Sequence, residues 1–438
     1  MTASERIPYF GAMYVGASTF CAWRHPETGS NIGFGDFLRF ARTAERGLLD
    51  FIFLAEGLSV GERNGRFIEE TITGRPDSIP LLSALAAVTK NIGLAATLST
   101  THHNPYELAR QLATLDHLSG GRVAWNVVTS SWSSAGSNFR RGNYLAHEHR
   151  YTQADEFLEV VLALWDSWKT DGTGLEQPAA IDYSGQHFDL NTAFALSRPP
   201  QPRPVIMQAG GSPQGRDFAA HSADLVFSVA DGGFDAARPF YSDVKERTRA
   251  AGRNPDEVKI LPGCWFVVGD SDADAQRKYE YQLDLLTSPR VAIELMQQLW
   301  GRDLSEVDVD GPFPDIEPDW DKAWAYTSRK PAGEKNAEIA VAQWRDTARA
   351  NNLSIREVAK GMASRFAIVG SAQTVADEIE RWVDGGACDG FINTPALLPG
   401  GLDEFSDLLI PELQRRGRYR TEYEAPTMTS RLEHSIHG

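Results

Sequence analysis

Residues 205–221, VIMQAGGSPQGRDFAAH, pass from a short apolar run through three glycines, a serine and a proline into helix-compatible residues. A glycine-rich turn from strand to helix presents backbone N–H groups to a phosphate. The glycine spacing is not the dinucleotide fingerprint, and the stretch lacks the G-K-[ST] ending of a P-loop. Gly211 and Ser212 are the candidate phosphate ligands, although such turns also arise for steric reasons alone. Ser212, directly before Pro213, is either an N-cap or a phosphate ligand, and a bound phosphate lets it be both. RGNYLAHEHRYTQADEF (141–157) places His147 and Tyr151 at i, i+4, where one side of a helix start carries both. A basic and a phenolic donor there complete a phosphate site, or else decorate a solvated helix start. AWNVVTSSW (124–132) ends an apolar strand with Asn126 and Thr129, and TLSTTHHNPY (97–106) offers Thr97, Ser99, His102 and His103 in the same manner. A buried amide without a partner costs on the order of 1–3 kcal/mol, so such residues need a partner, and at a strand end that partner is often a ligand. Adjacent histidines face different directions, which argues against joint metal binding by His102 and His103; one of them is a candidate acid or base. CAWRHPETG (21–29) sets Trp23 and Arg24 beyond the first strand, where Arg24 either meets an anionic substrate or braces a loop.

The elements that must position these residues alternate two periods. Apolar strands are expected at 9–16, 50–56, 92–100, 123–130, 205–209, 223–229, 258–269 and 389–395. Helical patterns fall at 35–47, 81–91, 104–121, 151–168, from about Pro213, at 234–251, in SAQTVADEIERWVDGG and in DEFSDLLIPELQRRG. Strands apolar along their whole centre suit a parallel sheet covered on both faces. Eight such units suit a (β/α)8 TIM barrel of ~250 residues carrying insertions, with a doubly wound sheet as the rival. The 438 residues are expected to form a single barrel domain with insertions at about 57–80, 169–203 and 290–365. The last is acidic, proline-rich and aromatic, which reads as a lid or lining. A hairpin is expected at 181–190.

Composition bounds the function. A net charge of −16 argues against a nucleic-acid partner, and three well-separated cysteines suggest neither a disulfide framework nor a zinc cluster. No apolar leader or spanning stretch is evident, so a cytoplasmic protein without a membrane partner is expected. No G-x-S-x-G elbow, HExxH or CxxC supports hydrolase, zincin or dithiol chemistry, and no metal is expected.

Five stretches together carry a family resemblance: FARTAERGLLDFIFLAEG, LATLDHLSGGRVAWNVVTS, RYTQADEFLEVVLALWDSW, RPVIMQAGGSPQGRDFAA and DGFINTPALLPGGLDEFSDLLIPELQRRGRYRTEY. They resemble the flavin-dependent monooxygenases of the bacterial luciferase-like superfamily, in the branch with nitrilotriacetate, dibenzothiophene sulfone and long-chain alkane monooxygenases. The similarity runs in order from about residue 9 to 423 and is weakest across 290–365. It implies a luciferase-like barrel that takes reduced FMN (FMNH2) from a separate NAD(P)H:flavin reductase and, with O2, oxygenates a small organic substrate. C–S, C–N or C–halogen cleavage falls within the family's range, and homo-oligomers, dimers or tetramers, are usual. By position, the resemblance puts Thr97 and Ser99 near the isoalloxazine, Asn126 against the flavin from the next strand, His147 and Tyr151 near the ribityl phosphate, and Gly211 and Ser212 in the phosphate loop. Glu56 stands near the ring where the family commonly has Asp. Asn126, Ser99, His102 and His103 are the candidates to orient the reacting oxygen and donate hydrogen bonds. Two alternatives remain at this point: a luciferase-like oxidoreductase using deazaflavin F420, and a flavin carrier without catalysis.

Overall fold

The structure is a computed structural model, and it describes residues 6–14, 25–58, 62–63, 66–67, 75–129, 138–139, 147–230, 232–323, 335–364 and 366–434. Eight parallel strands form the centre: β1 (Tyr9–Tyr14), β2 (Phe51–Leu54), β3 (Gly93–Ser99), β4 (Val123–Val128), β5 (Val205–Ala209), β6 (Leu225–Val229), β7 (Lys259–Gly269) and β8 (Gly390–Asn393). Each pairs with the next in sequence, β7 pairs with β8, and β8 returns to β1, so the sheet closes. The expected (β/α)8 TIM barrel is therefore what forms, and the open doubly wound rival is excluded by the closing pairs Tyr9↔Gly390 and Leu225↔Lys259.

Side chains alternate between the two faces of each strand. One set, including Phe51, Phe53, Ala95, Ala124, Val205, Met207, Leu225, Leu261 and Ile392, fills the barrel interior. The other set packs outward against the helices, as Phe10, Ile52, Leu94, Trp125 and Phe391 do. Two glycines let aromatic rings cross the interior. A Cβ at Gly11 would stand 2.5 Å from the Phe51 ring, and one at Gly263 would stand 2.8 Å from Phe227. Phe53 and Phe227 then meet edge to face at 5.8 Å. These rings pack across the barrel interior at this level.

The helices that matter for the site are α1 (Phe34–Arg46), α2 (Ser78–Ala86), α3 (Pro105–Ser119), α4 (His147–Trp165) and α5 (Pro213–Ser222). Asn104 caps α3 by accepting the N–H groups of Tyr106 and Glu107, with Pro105 at the first turn and Gly120 ending it in the left-handed region at φ 68°. The N-terminal end of the barrel is covered by the C-terminal segment: Met428 and Leu432 join the interior cluster, and the Tyr9 hydroxyl donates to the Leu432 carbonyl at 3.2 Å.

Several expected boundaries move. The helix expected at 81–91 is α2 at Ser78–Ala86, because Asp77 accepts the Ile79 N–H and starts it earlier. The helix expected from residue 151 begins at His147, so His147 and Tyr151 occupy its first turns rather than precede it. A parallel strand not foreseen, Ala367–Ser371, pairs with the outer half of β7 from Trp265↔Ala367 to Gly269↔Ser371. β7 is eleven residues long, so its first half closes the barrel while its second half runs beyond it. The expected hairpin at 181–190 is found as Ala180–Ser184 against Asp189–Ala193, preceded by a second one, Trp168–Thr170 against Glu176–Pro178. Within 290–365 three helices, Pro289–Trp300, Lys335–Asn351 and Ile355–Ala363, flank an irregular stretch at 301–323, and Ala292, Met296, Trp300, Val341, Trp344 and Ile355 share an apolar cluster of their own. Trp300 and Trp344 are buried in this cluster, whereas Trp320 of the same segment is exposed.

Candidate active site

The described candidates gather at the C-terminal ends of four strands that are neighbours in the sheet, β2, β3, β4 and β5. Their placement follows from alternation. Ala95 and Ala124 point inward, so Thr97, Ser99 and Asn126, two and four residues further on, point into the barrel one and two layers above. Thr97 and Asn126 are direct partners in the register, and the Asn126 side-chain amide donates to Thr97 Oγ1 at 3.1 Å. That bond fixes the amide, so Oδ1 points away from Thr97. Asn126 is 2% exposed, and its Oδ1 has no hydrogen-bond partner among the described residues. A buried amide oxygen left in this state is a place waiting for an N–H or O–H donor.

A second group lies after β5. Ser212 caps α5, its Oγ accepting the Gly215 N–H at 3.1 Å, and Pro213 follows at the first turn. The hydroxyl proton of Ser212 then points to another acceptor. The Tyr151 hydroxyl stands 3.4 Å from Ser212 Oγ, so the first turns of α4 and α5 converge. At Gly211 a Cβ would meet nothing within 4 Å, and the approach to this helix start is open. Unbonded N–H groups and the positive end of the helix dipole suit an anion at this point. Gln153 on α4 donates to the Thr100 carbonyl at 3.2 Å and ties this group to the end of β3.

A third group lies after β2 and β3. His103 Nδ1 stands 2.9 Å from the Ser99 carbonyl, and its Nε2 stands 4.0 Å from Glu56 Oε1. The Glu56 side chain is 13% exposed. Burial, and then the charge of Asp77, push its carboxyl up to about 8. His102 turns the other way. Its ring stacks on Phe139 with centroids 4.2 Å apart and planes 8° apart, and its Nε2 is buried with no partner among the described residues. Burial and then the neighbouring His103 lower its basicity, which keeps the ring neutral at ordinary pH.

The candidate set thus resolves into Thr97, Ser99 and Asn126 inside the mouth, Tyr151, Gly211 and Ser212 at the paired helix starts, and Glu56 with His103 at the rim. His147 lies in the first turn of α4, its side chain outside the described residues, and Trp23 and Arg24 lie wholly outside them. Two further strand-end amides escaped the sequence reading. Gln208 Oε1 on β5 and both amide atoms of Asn393 on β8 are buried without partners among the described residues. The rule that picked out Asn126, a polar residue in an apolar strand, applies equally to QAGG and FINTP. Both follow inward-facing residues, Met207 and Ile392, so they face the helix layer and not the mouth. Among the described residues no group of three His, Cys, Asp or Glu side chains could hold a metal ion.

The residues present fit a phosphorylated flavin on two observations: the open N-terminus of α5 with its serine cap, and the orphaned Asn126 oxygen facing the interior. Comparison with known proteins points the same way. N-acetyl-S-(2-succino)cysteine monooxygenase of Bacillus subtilis (strain 168) is 39% identical, with 98% of this chain and 97% of the relative aligned. Dibenzothiophene-sulfone monooxygenase of Rhodococcus erythropolis is 36% identical over 99% and 97% of the two chains. Among solved structures, a riboflavin lyase holding a modified FMN and riboflavin superposes with a TM-score of 0.78 at 29% identity, covering 98% of this chain and 96% of that one. The luciferase-like monooxygenase profile matches residues 16–388, and with relatives of this identity along its whole length the chain belongs to the luciferase-like monooxygenase family.

Proposed function

We propose that the protein is the oxygenase of a two-component, FMN-dependent system. Reduced FMN arrives from a separate NAD(P)H:flavin reductase and meets O2 and a small organic substrate at the C-terminal mouth of the barrel. The observation that carries the cofactor assignment is the convergence of Tyr151 and Ser212 at the start of α5, where a terminal phosphate finds N–H and O–H donors. His147 adds a basic group from the same first turn of α4. Thr97, Ser99 and Asn126 would hold the ring system, with the unmatched Asn126 Oδ1 as an acceptor for one of its N–H groups. The reduced flavin supplies the electrons that activate dioxygen. The chain's own part would be to grip the phosphate, hold the ring at the mouth and keep water from the reacting oxygen.

The two curated relatives act, by name, on a thioether of cysteine and on a cyclic sulfone, so substrates with carbon–sulfur bonds are the first to try. Trp23 and Arg24 are proposed to face that substrate, and Arg24 favours an anionic one. The test is a titration of the purified protein with FMN, riboflavin and F420, followed by oxygen uptake with photoreduced FMN. The panel is sulfones, thioethers, aminopolycarboxylates and halogenated aromatics. Preference for FMN over riboflavin and substrate-dependent product formation support the reading. Tight binding of F420 with no oxygen uptake refutes it, and so does flavin binding with no turnover of any compound in the panel.

A further inference from the structure

Glu56 and His103 belong to different strand ends, 47 positions apart, yet they face one another at the rim of the mouth. We propose that Glu56 and His103 work as one proton-sharing pair that delivers a proton to the oxygen atom released as water, the carboxyl giving it and the imidazole restoring it from solvent. This rests on the monooxygenase reading.

The tautomer follows from the hydrogen bonds. The Ser99 carbonyl can only accept, so His103 carries its proton on Nδ1 and turns the Nε2 lone pair to Glu56. A protonated Glu56 can donate to that lone pair; an ionised one cannot. Burial of the carboxyl favours the protonated form, and Asp77 at the cap of α2 presses the same way. Among the described residues, the charged and titratable groups facing the pair are Asp77 from the start of α2, His102 from the turn after β3, and Arg75, whose side-chain stem runs past Gly57. The separation of 4.0 Å exceeds a hydrogen bond, as is common for proton-transfer groups before a substrate closes the site. His103 is 28% exposed against 13% for Glu56, so the imidazole is the partner in contact with solvent and the carboxyl is the inner one.

The balance needs such a group. Substrate, O2, the monoanion of reduced FMN and one proton give oxygenated substrate, FMN and water. The Glu56 O–H bond breaks as the O–H bond of that water forms, which leaves a carboxylate facing His103 Nε2. His103 Nε2 then takes a proton from solvent and passes it to Glu56, which restores the starting state. His102, neutral and stacked on Phe139, stands outside this exchange.

The experiment is infrared titration of the flavin-free protein, with Glu56→Gln identifying the band, together with nitrogen NMR of labelled histidine. The expected result is a protonated-carboxyl band that disappears as pH rises through about 8 and is missing in E56Q, with the His103 proton on Nδ1 near neutral pH. His103→Gln is expected to leave FMN affinity within about threefold and to lower the rate of product formation roughly 10²-fold or more, as loss of a general acid–base group does. The probes are dibenzothiophene sulfone and N-acetyl-S-(2-succino)cysteine. Ionisation of Glu56 in the ordinary carboxylate range, or a His103 proton on Nε2, overturns the pair whatever the flavin does. A protein that shows the raised carboxyl but binds no FMN refutes the cofactor reading instead, so the two failures are distinguishable.

Discussion

Ser212→Asp separates the observed capping role of one side chain from its proposed phosphate role. As an N-cap, aspartate ranks with serine, so the Gly215 N–H keeps its acceptor and the stability of α5 changes by only a few tenths of a kcal/mol. As a phosphate ligand, aspartate fails twice. It has no proton to donate, which forfeits a charge-assisted hydrogen bond of about 1.5–3 kcal/mol. It also sets a carboxylate beside the phosphate, and two like charges about 4 Å apart repel by up to about 4 kcal/mol at the dielectric of a protein surface. Ser212 is only half-buried, so solvent and salt reduce the second term. A net loss of about 3–5 kcal/mol remains, a rise in the FMN dissociation constant of roughly 10²–10⁴-fold. Riboflavin has the same ring and no phosphate, so its affinity should stay within about threefold. Flavin fluorescence quenching with both ligands, beside a thermal melt, reads all three quantities. If S212D bound FMN within about threefold of the wild type, the phosphate would lie elsewhere.

Asn126→Ala removes the orphaned Oδ1 and the donor to Thr97; product per O2 should fall and H2O2 release rise, and equal coupling in an oxygen-electrode assay would take Asn126 out of the site. Glu56 gives a pH signature in stability. Its carboxyl binds its proton up to about 8 when folded and only to about 4.5 when unfolded, so its contribution is full below the unfolded value and is lost as pH rises through the folded one. Urea midpoints should therefore fall more steeply for the wild type than for E56Q between about pH 5 and about pH 9, and parallel curves would refute the raised carboxyl. Asp50→Asn leaves the Arg420 guanidinium, 8% exposed, without its carboxylate; a loss of about 3–5 kcal/mol in stability with FMN affinity unchanged is expected from denaturation and quenching titrations.

Much of this architecture was legible because it rests on periodicity. All eight barrel strands have the near-continuous apolar cores that a doubly covered parallel sheet demands, and their sequence order equals their order around the barrel. What escaped depends on information that periodicity does not carry. The start of α2 is set by Asp77 with Pro80 behind it, a capping signal that precedes the apolar stripe beginning at Leu81. The strand Ala367–Ser371 is five residues against the projecting half of β7, and its existence depends on β7 overrunning the barrel. The helical run at 400–415 holds a π turn at Phe405–Leu409, which no residue pattern announces. At the site, Asn126, Thr97 and Ser99 were readable as polar residues in apolar strands. Their mutual bond was not, because it requires the register Thr97↔Asn126. The approach of His103 to Glu56 links two separate loops and needs the full fold, as does the burial that holds a proton on the carboxyl.

The two ends of the barrel handle buried polarity in opposite ways, and the contrast argues for where function sits. At the N-terminal end an aspartate stands immediately before each of three strands and accepts the N–H of a neighbouring one: Asp50 from Phe10, Asp224 from Ile206, Asp389 from Ile260. Each carboxylate is matched by a cation, Arg420, Arg203 and Lys245 respectively. Arg122, buried there, donates to the carbonyls of Ser119, Ile92, Ala86 and Thr89 and to the Thr89 hydroxyl. Arg431 is the exception, its terminal nitrogens lacking acceptors among the described residues while its guanidinium lies 5.0 Å over the Tyr423 ring. At the C-terminal end, Asn126 Oδ1 and His102 Nε2 are left buried and unmatched among the described residues. Each orphan costs on the order of 1–3 kcal/mol in the free protein. Chance unsatisfied groups would be scattered over both ends and both faces; Gln208 and Asn393, turned to the helices, are of that kind and call for buried water. Asn126 differs because it faces inward, above a floor of rings, beside a helix start open to an anion. A ligand that satisfies it recovers the folding cost as binding energy, so the same amide that weakens the empty barrel helps to select what fills it.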